Sequence, residues 1–311
     1  MPPNAAPHGG QAYRGRFAPS PTGQIHFGSL VAAVGSFLDA RHQGGIWLVR
    51  MEDLDRTREV PGAASAILRT LDAFGLHWDG TVIYQSARTA AYAEALDRLD
   101  ALGLIYPCGC SRSEIAAAGL TGPEGPIYPG TCRQGLAPDR RTRSQRLRVP
   151  PGEAAFVDRI QGPTTQDVAR AVGDYVLRRA DGIHAYQLAV VVDDGAQGIT
   201  DVVRGADLTA STPRQILLQR ALGLPSPTYA HVPLVLDPLG RKLSKSDAAA
   251  PVDPADPLPV ALLSLRHLGQ ALPPETPADP AELWQWAIPR WNISHVPTGP
   301  ARALSVSPGP T

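Results

Sequence analysis

Two lysines, Lys242 and Lys245, lie three residues apart in the stretch RKLSKSD (241–247). They are the only lysines in a chain of 311 residues that otherwise uses arginine. A lysine is a compact charge on a long flexible stem, suited to reach a phosphate, whereas arginine's planar fork suits carboxylates. A solvated loop would accept either residue, so the confinement of both lysines to one loop points to a phosphate. Near the other end of the chain, RFAPSPTGQIHFGSL (16–30) reads as a short strand, a Pro-Gly turn and a helix start. Such a junction offers unpaired backbone N–H groups and the positive end of a helix dipole to an anion. His26 sits at that helix start, where it can donate a hydrogen bond to a phosphate.

A third group has the chemistry of a metal site. All three cysteines, Cys108, Cys110 and Cys132, fall in CGC (108–110) and YPGTC (128–132). A Cys-x-Cys pair and a third cysteine in one irregular stretch suggest a structural zinc ion. No histidine lies between His77 and His184, so the fourth ligand is Tyr128, Glu114, Glu124 or a water. Residue chemistry alone favours a carboxylate, because a tyrosine must lose a proton with an ordinary pKa of about 10. Free cysteines in a loop are the plainer alternative. The arginines that follow, Arg133, Arg140, Arg141, Arg143, Arg146 and Arg148, either track an RNA backbone or form a solvated face.

The elements that must position these groups follow from periodicity. Apolar residues three and four apart predict helices in HFGSLVAAVGSFLDARHQ, AASAILRTLDAFGL, TAAYAEALDRLDALGL and TPRQILLQRALGL. Buried strands are expected at GGIWLVRMED, AAFVDRI, HAYQLAVVVDD and PTYAHVPLVLD, the last leading to the lysines. Asp193 and Asp194 then cap a strand end. The strand–helix alternation predicts an α/β fold with a parallel sheet. From Cys108 to about Arg148 the texture turns to Gly, Pro, Arg and Cys, an insertion in the sheet. After Asp247 come two short helices, VALLSLRHLGQ and PAELWQWAI, and a loose tail. Lys and Arg together equal Asp and Glu together at 29 each, which argues against a dedicated polyanion coat and leaves room for a local basic face. No apolar run is long enough for a membrane span, and the first dozen residues read as a disordered tail without a secretory h-region. An odd number of cysteines fits a reducing cytoplasm.

Together the two anion-seeking stretches resemble the paired signatures of the class I aminoacyl-tRNA synthetases. The HIGH signature corresponds to His26-Phe27-Gly28-Ser29, with Ser29 in place of the second histidine. The KMSKS signature corresponds to Lys242-Leu243-Ser244-Lys245-Ser246. RFAPSPTG, RMEDLDRTR (50–58), YQLAVVVDD and GITDVVRGADL (198–208) narrow the resemblance to the glutamyl branch. It runs from about Tyr13 to Asp247. It implies a Rossmann-like catalytic domain whose halves are residues 13–107 and 151–247. An inserted, zinc-binding, acceptor-type subdomain would span 108–150, and a short helical extension 248–311. It also implies a reaction of ATP, with its Mg²⁺, and L-glutamate to give glutamyl-adenylate and pyrophosphate. The implied catalytic groups are His26, Lys242 and Lys245. ATP would meet His26, Gly28, Ser29 and Lys245. Glutamate would meet Arg16, Phe17, Ala18, Pro19, Ser20, Glu52, Tyr186 and Arg204. Arg16 and Arg204 would grip carboxylate, Glu52 the ammonium, and Tyr186 would supply a hydroxyl. The order Cys-x-Cys…Tyr-x-x-x-Cys is similar to short relatives in which the tyrosine ligates zinc, which implies Tyr128.

Too little chain follows Asp247 for the helical anticodon-binding region of the long glutamyl enzymes. The expected likeness is therefore to the short glutamyl-queuosine branch. Its members activate glutamate without tRNA and attach it to the queuosine base at the wobble position of tRNA(Asp), with no separate anticodon reader. A truncated enzyme charging a tRNA 3′ end and a non-catalytic RNA-binding paralogue are the alternatives. Nothing in the sequence suggests a subunit interface, so a monomer is expected.

Overall fold

The computed structural model describes residues 12–122, 124–237, 240–243 and 250–304. The chain opens with β1 (Arg14–Phe17), the turn through Ser20, and α1 (Phe27–His42). Next come β2 (Ile46–Met51), α2 (Ala63–Ala73), β3 (Ile83–Tyr84) and α3 (Thr89–Ala101). Both β1–β2 and β2–β3 pair in parallel. The insertion follows: β4 (Ile105–Cys108), α4 (Arg112–Ala117), the small hairpin β5 (Thr121–Gly122) and β6 (Gly125–Pro126), and β7 (Ser144–Leu147). The second half holds β8 (Glu153–Asp158), β9 (Gly162–Asp167), α5 (Val168–Ala171), β10 (Val176–Arg178), α6 (Tyr186–Ala196), β11 (Asp201–Gly205), α7 (Thr212–Ala221), β12 (Thr228–Val232) and β13 (Leu234–Leu236). Beyond the lysine loop lie α8 (Pro257–His267), α9 (Pro280–Ala287) and β14 (Ala301–Ala303), which pairs with β13.

The second sheet runs β11-β12-β8-β9, parallel except for its last pair. The Thr200 N–H donates to the Arg14 carbonyl at 3.0 Å, which sets β1 of the first sheet beside β11 of the second. The resulting order, 3-2-1-11-12, reverses direction between β1 and β11. In open α/β sheets that reversal leaves a crevice at the carboxyl ends of the strands, where ligands bind.

Two sequence expectations are corrected. HAYQLAVVVDD is not a strand: Tyr186–Ala196 is helix α6, with Leu188 to Val191 all buried. Its apolar run packs on α3 and α7 in one hydrophobic cluster. A short run that is apolar on every face has the same pattern as a buried strand, and its three valines tipped propensity the wrong way. PTYAHVPLVLD is two strands, β12 and β13, separated at Pro233, whose missing N–H cannot join a ladder.

The residues after the lysine loop are not a separate unit. Ala261, Leu265, Leu268, Leu283, Trp284 and Trp291 belong to the same hydrophobic cluster as Leu30, Trp47 and Met51. The Trp284 indole N–H donates to the Phe74 carbonyl at 2.7 Å.

Candidate active site

The crevice between β1 and β11 is a cavity of about 320 Å³. The strand ends and the start of α1 line it. Arg16, Phe17, Ala18, Pro19 and Ser20 come from β1 and the turn after it, and His26, Gly28 and Ser29 from the α1 start. Glu52 comes from the end of β2, Tyr186 from the first turn of α6, Arg204 from β11, and Lys242 from beyond β13. The sequence-predicted nucleotide and glutamate residues thus converge on one cavity, apart from Lys245, which lies outside the described residues. Leu243, on one side of Lys245 in sequence, lines the cavity, and Pro251, on the other, forms a β-bridge with His26.

His26 is the N-cap of α1. Its Nδ1 accepts the Ser29 backbone N–H at 3.2 Å. A backbone amide only donates, so in the neutral ring Nδ1 carries the lone pair and Nε2 the proton. The imidazole is held below its ordinary pKa by burial and by the charge of Lys242, so at neutral pH it is an uncharged donor at Nε2, which lies 3.0 Å from the Ser29 hydroxyl. Gly28 leaves room beside this ring: a Cβ there would sit 3.2 Å from the imidazole Cε1, a tight contact from which the ring would have to give by a few tenths of an ångström. Lys242 Nζ donates to Asp207 Oδ2 at 2.5 Å. Asp207 also lines the cavity. Sequence reasoning missed it, because no spacing links residues 207 and 242.

The opposite wall is a buried ionic network. Asp194 accepts from Arg16 Nε at 3.2 Å and from Arg50 Nη1 at 2.8 Å. Arg50, fully buried, also donates to Gln197 Oε1 at 2.7 Å and lies 3.4 Å from Glu52 Oε1. Burial pushes the Glu52 carboxyl above its ordinary pKa, against the pull of Arg50 and Arg16. Burial also acts on Asp194, but Arg16 and Arg50 outweigh it and hold that carboxyl low. Asp193 accepts from Arg88 Nε at 2.5 Å, Tyr92 at 2.8 Å and Gln85 at 2.9 Å. The two aspartates therefore do not cap a strand end. They sit in the last turns of α6 and anchor the arginines behind the site. Burial raises the Tyr186 pKa, so its hydroxyl stays protonated. Arg204 is 5% exposed, and its Nη1 is buried with no partner among the described residues. A buried guanidinium N–H without an acceptor is costly, and the cavity it lines is where an anion would satisfy it.

In the insertion, the sulfur atoms of Cys108, Cys110 and Cys132 lie within 4.8 Å of one another. The Cys110–Cys132 separation is 3.7 Å, close to the roughly 3.8 Å between two thiolates on a tetrahedral zinc with bonds of about 2.3 Å. The donor set therefore fits a metal. The Tyr128 hydroxyl is 3.4 Å from Cys108 Sγ and accepts the Cys132 N–H at 2.8 Å. The competing carboxylates are engaged elsewhere. Glu114 closes the capping box of α4 and pairs with Arg140 at 2.8 Å, and Glu124 pairs with Arg214. Burial raises the Cys108 thiol, but the hydrogen bonds from Tyr128 and Arg146 outweigh it and hold the pKa at about 7. Cys110 is pushed up to about 11 by burial and its neighbouring thiols.

Much of the arginine run serves the insertion itself. Arg133 pairs with Asp174, and Arg140 with Glu114. Arg146 donates to the Asp174 carbonyl and stacks 3.9 Å from the Tyr128 ring centroid. Arg148 donates to the Arg133 carbonyl and lies over Tyr106.

The family described as class I tRNA synthetases (E and Q), catalytic domain, matches residues 12–269. The glutamyl-Q tRNA(Asp) synthetase of Dechloromonas aromatica is 59% identical, over 92% of this chain and 96% of that one. Its counterpart in Burkholderia mallei is 57% identical, over 92% and 98%. Among solved structures, a glutamate-tRNA synthetase from Elizabethkingia anophelis matches with a TM-score of 0.78 at 26% identity, covering 95% of this chain and 68% of that one. The fold and cavity are those of a class I synthetase catalytic domain, and the chain belongs, within that class, to the glutamyl-Q tRNA(Asp) synthetase family.

Proposed function

We propose that the chain activates L-glutamate with ATP, without tRNA, and passes the glutamyl group to the queuosine base at the wobble position of tRNA(Asp). The observation that carries this reading is one cavity with two chemistries. Its α1 end offers a helix N-terminus, the neutral His26 and Lys242 to phosphate. Its other end offers Arg16, Arg204 and Glu52 to an amino acid bearing two carboxylates and one ammonium. The glutamate α-carboxylate attacks the α-phosphorus of ATP, which enters with Mg²⁺, and pyrophosphate leaves. A hydroxyl of the modified base then attacks the glutamyl carbonyl, and AMP leaves. The protein's part is positioning and charge stabilisation. His26 Nε2–H donates to the α-phosphate, the lysines meet the pyrophosphate, Glu52 holds the ammonium, and the two arginines and Tyr186 hold carboxylate. Cys108, Cys110, Cys132 and Tyr128 hold a structural zinc that stiffens the insertion. A reducing cytoplasm suits the three free thiols, and the enzyme acts as a monomer.

Glutamate-dependent ATP–pyrophosphate exchange in the absence of tRNA tests the first step, and no exchange would favour a non-catalytic RNA-binding role. Labelled glutamate offered with queuosine-containing tRNA(Asp) and with tRNA(Glu) tests the second. Label is expected on tRNA(Asp), at the wobble base. Label on tRNA(Glu) alone would mean an enzyme that charges the 3′ end.

A further inference from the structure

Arg204 is held from behind by His231 and Thr212, which do not line the cavity. Arg204 on β11 and His231 on β12 are register partners on adjacent parallel strands. Arg204 Nε donates to His231 Nε2 at 3.0 Å. Arg204 Nη2 donates to Thr212 Oγ1 at 2.8 Å and to the Leu208 carbonyl at 3.3 Å. These bonds fix the guanidinium plane and leave Nη1 as the corner without a partner among the described residues. An arginine side chain cannot accept a hydrogen bond, so His231 Nε2 must carry its lone pair. The proton is then on Nδ1, which donates to Asp158 Oδ2 at 2.5 Å. The other Asp158 oxygen is fixed by the backbone N–H groups of Ile160 at 2.9 Å, Gln161 at 2.8 Å and His231 at 3.2 Å. His231 and Thr212 are fully buried, and Asp158 nearly so.

We infer that His231, locked by Asp158 as the neutral Nδ1–H tautomer, is the positioning residue that aims Arg204 at a carboxylate of the amino acid. The inference rests on the glutamate reading of the cavity and adds residues that never touch the substrate. It accounts for a buried histidine–carboxylate pair that hydrophobic packing does not need. It also separates two halves of the imidazole with different consequences. The acceptor half serves the substrate through Arg204, and the donor half serves the fold through Asp158.

Two amide substitutions separate those halves. In His231→Gln the amide oxygen reaches the place of Nε2, so the acceptor for Arg204 survives and the bond to Asp158 is lost. In His231→Asn the shorter amide reaches the place of Nδ1, so the bond to Asp158 survives and Arg204 loses its acceptor. In glutamate-dependent ATP–pyrophosphate exchange, the Asn variant is expected to raise the KM for glutamate by about 10-fold or more, as loss of a charged hydrogen bond does. The KM for ATP should stay unchanged. The Gln variant should remain within about 3-fold of wild type in the KM for glutamate, even if its Tm falls further than that of the Asn variant. Equal glutamate KM values in the two variants, or an Asn variant like wild type, would make His231 a structural residue only and overturn the inference. A wild-type protein with no glutamate-dependent exchange would overturn the functional reading and the inference with it. Should either variant fail to fold, ¹⁵N chemical shifts of wild-type His231 decide: a protonated Nδ1 and a bare Nε2 at neutral pH are expected, and the opposite tautomer would sink the proposal.

Discussion

At the scale of single residues, the proposed function gives the two lysines different tasks. Lys242 reaches the cavity and is held by Asp207 at 2.5 Å, so its charge is partly neutralised before any ligand arrives. Lys245 lies outside the described residues, and its role is read from sequence. Lys245→Ala is expected to lower pyrophosphate exchange by about 10²-fold, the effect of removing one oxyanion-stabilising donor. Lys242→Ala should cost less, and equal losses would contradict the division. Lys245→Arg keeps the charge but replaces the compact head with a fork, and should still impair activation; full activity would make the lysine an accident of composition. Glu52 gives a pH signature. Burial raises its pKa above that of an ordinary glutamate, so as pH falls it is protonated earlier than a free carboxyl. In the proposed site only the carboxylate pairs with the substrate ammonium. The KM for glutamate should therefore rise on acidification, starting above pH 4.5. In Glu52→Gln the KM should be high throughout and lack that limb.

At the scale of elements, the β1–turn–α1 junction was legible because its parts carry local signals: a Pro-Gly turn, a capping position and a helical period. The α6 segment was not, because its run is apolar on every side and only its neighbours α3 and α7 decide between helix and strand. The error propagated to Asp193 and Asp194, whose partners Arg88, Arg50 and Arg16 are about a hundred residues or more away in sequence. Contacts of that range leave no trace in spacing. The correction has a measurable consequence. Asp193 is fully buried among donors from Gln85 and Arg88, in the 3₁₀ turn before α3, and Tyr92 on α3, with Arg50 Nε 3.8 Å away. Asp193→Ala leaves that buried guanidinium short of counter-charge and should destabilise by about 3–5 kcal/mol in urea unfolding. A loss below about 1 kcal/mol would place the pair among weak surface contacts. In the insertion, Cys-x-Cys spacing pointed to a metal site, which the three clustered sulfur atoms could form; the proposal of Tyr128 over Glu114, Glu124 or a water draws on three dimensions, because both carboxylates are engaged elsewhere. Tyr128→Phe should lose zinc to a chelator faster than wild type, and Glu114→Gln should not. Metal content after dialysis checks both, and the reverse order would make Glu114 the ligand.

At the scale of the whole molecule, the stretch beyond the lysine loop is part of the catalytic domain's own core rather than an appendage. The sequence hid this, since two short helices among prolines give no sign of which core they join. The packing of α8 against α1 puts His267 beside Phe27, their rings 6.3 Å apart, directly behind the α1 start that carries His26. His26, His184, His231 and His267 are all held below the ordinary histidine value of 6.5, in each case chiefly by burial. Positive neighbours add to this: Lys242 for His26, Arg178 for His184, Arg204 for His231 and Arg302 for His267. A histidine with a depressed folded pKa binds its proton more readily in the unfolded chain. The stability that depends on its neutrality is complete above the unfolded value and drains away as pH falls below it. The depressed carboxyls of Asp158 and Asp194 act in the same sense lower down, below the ordinary aspartate value of 3.8. Below about pH 7, where the depressed Cys108 thiol has already given up its contribution, thermal unfolding down to pH 5 should therefore show a Tm that falls below pH 6.5, before the aspartates titrate. His231→Gln removes one of the four contributors and should flatten that fall, even from a lower starting Tm. Glu52, whose raised pKa acts in the opposite sense, is removed from the comparison in Glu52→Gln; a Tm that rises on acidification in that variant too would mean that the histidines gain protons more easily in the fold than out of it, against the burial that the structure gives them.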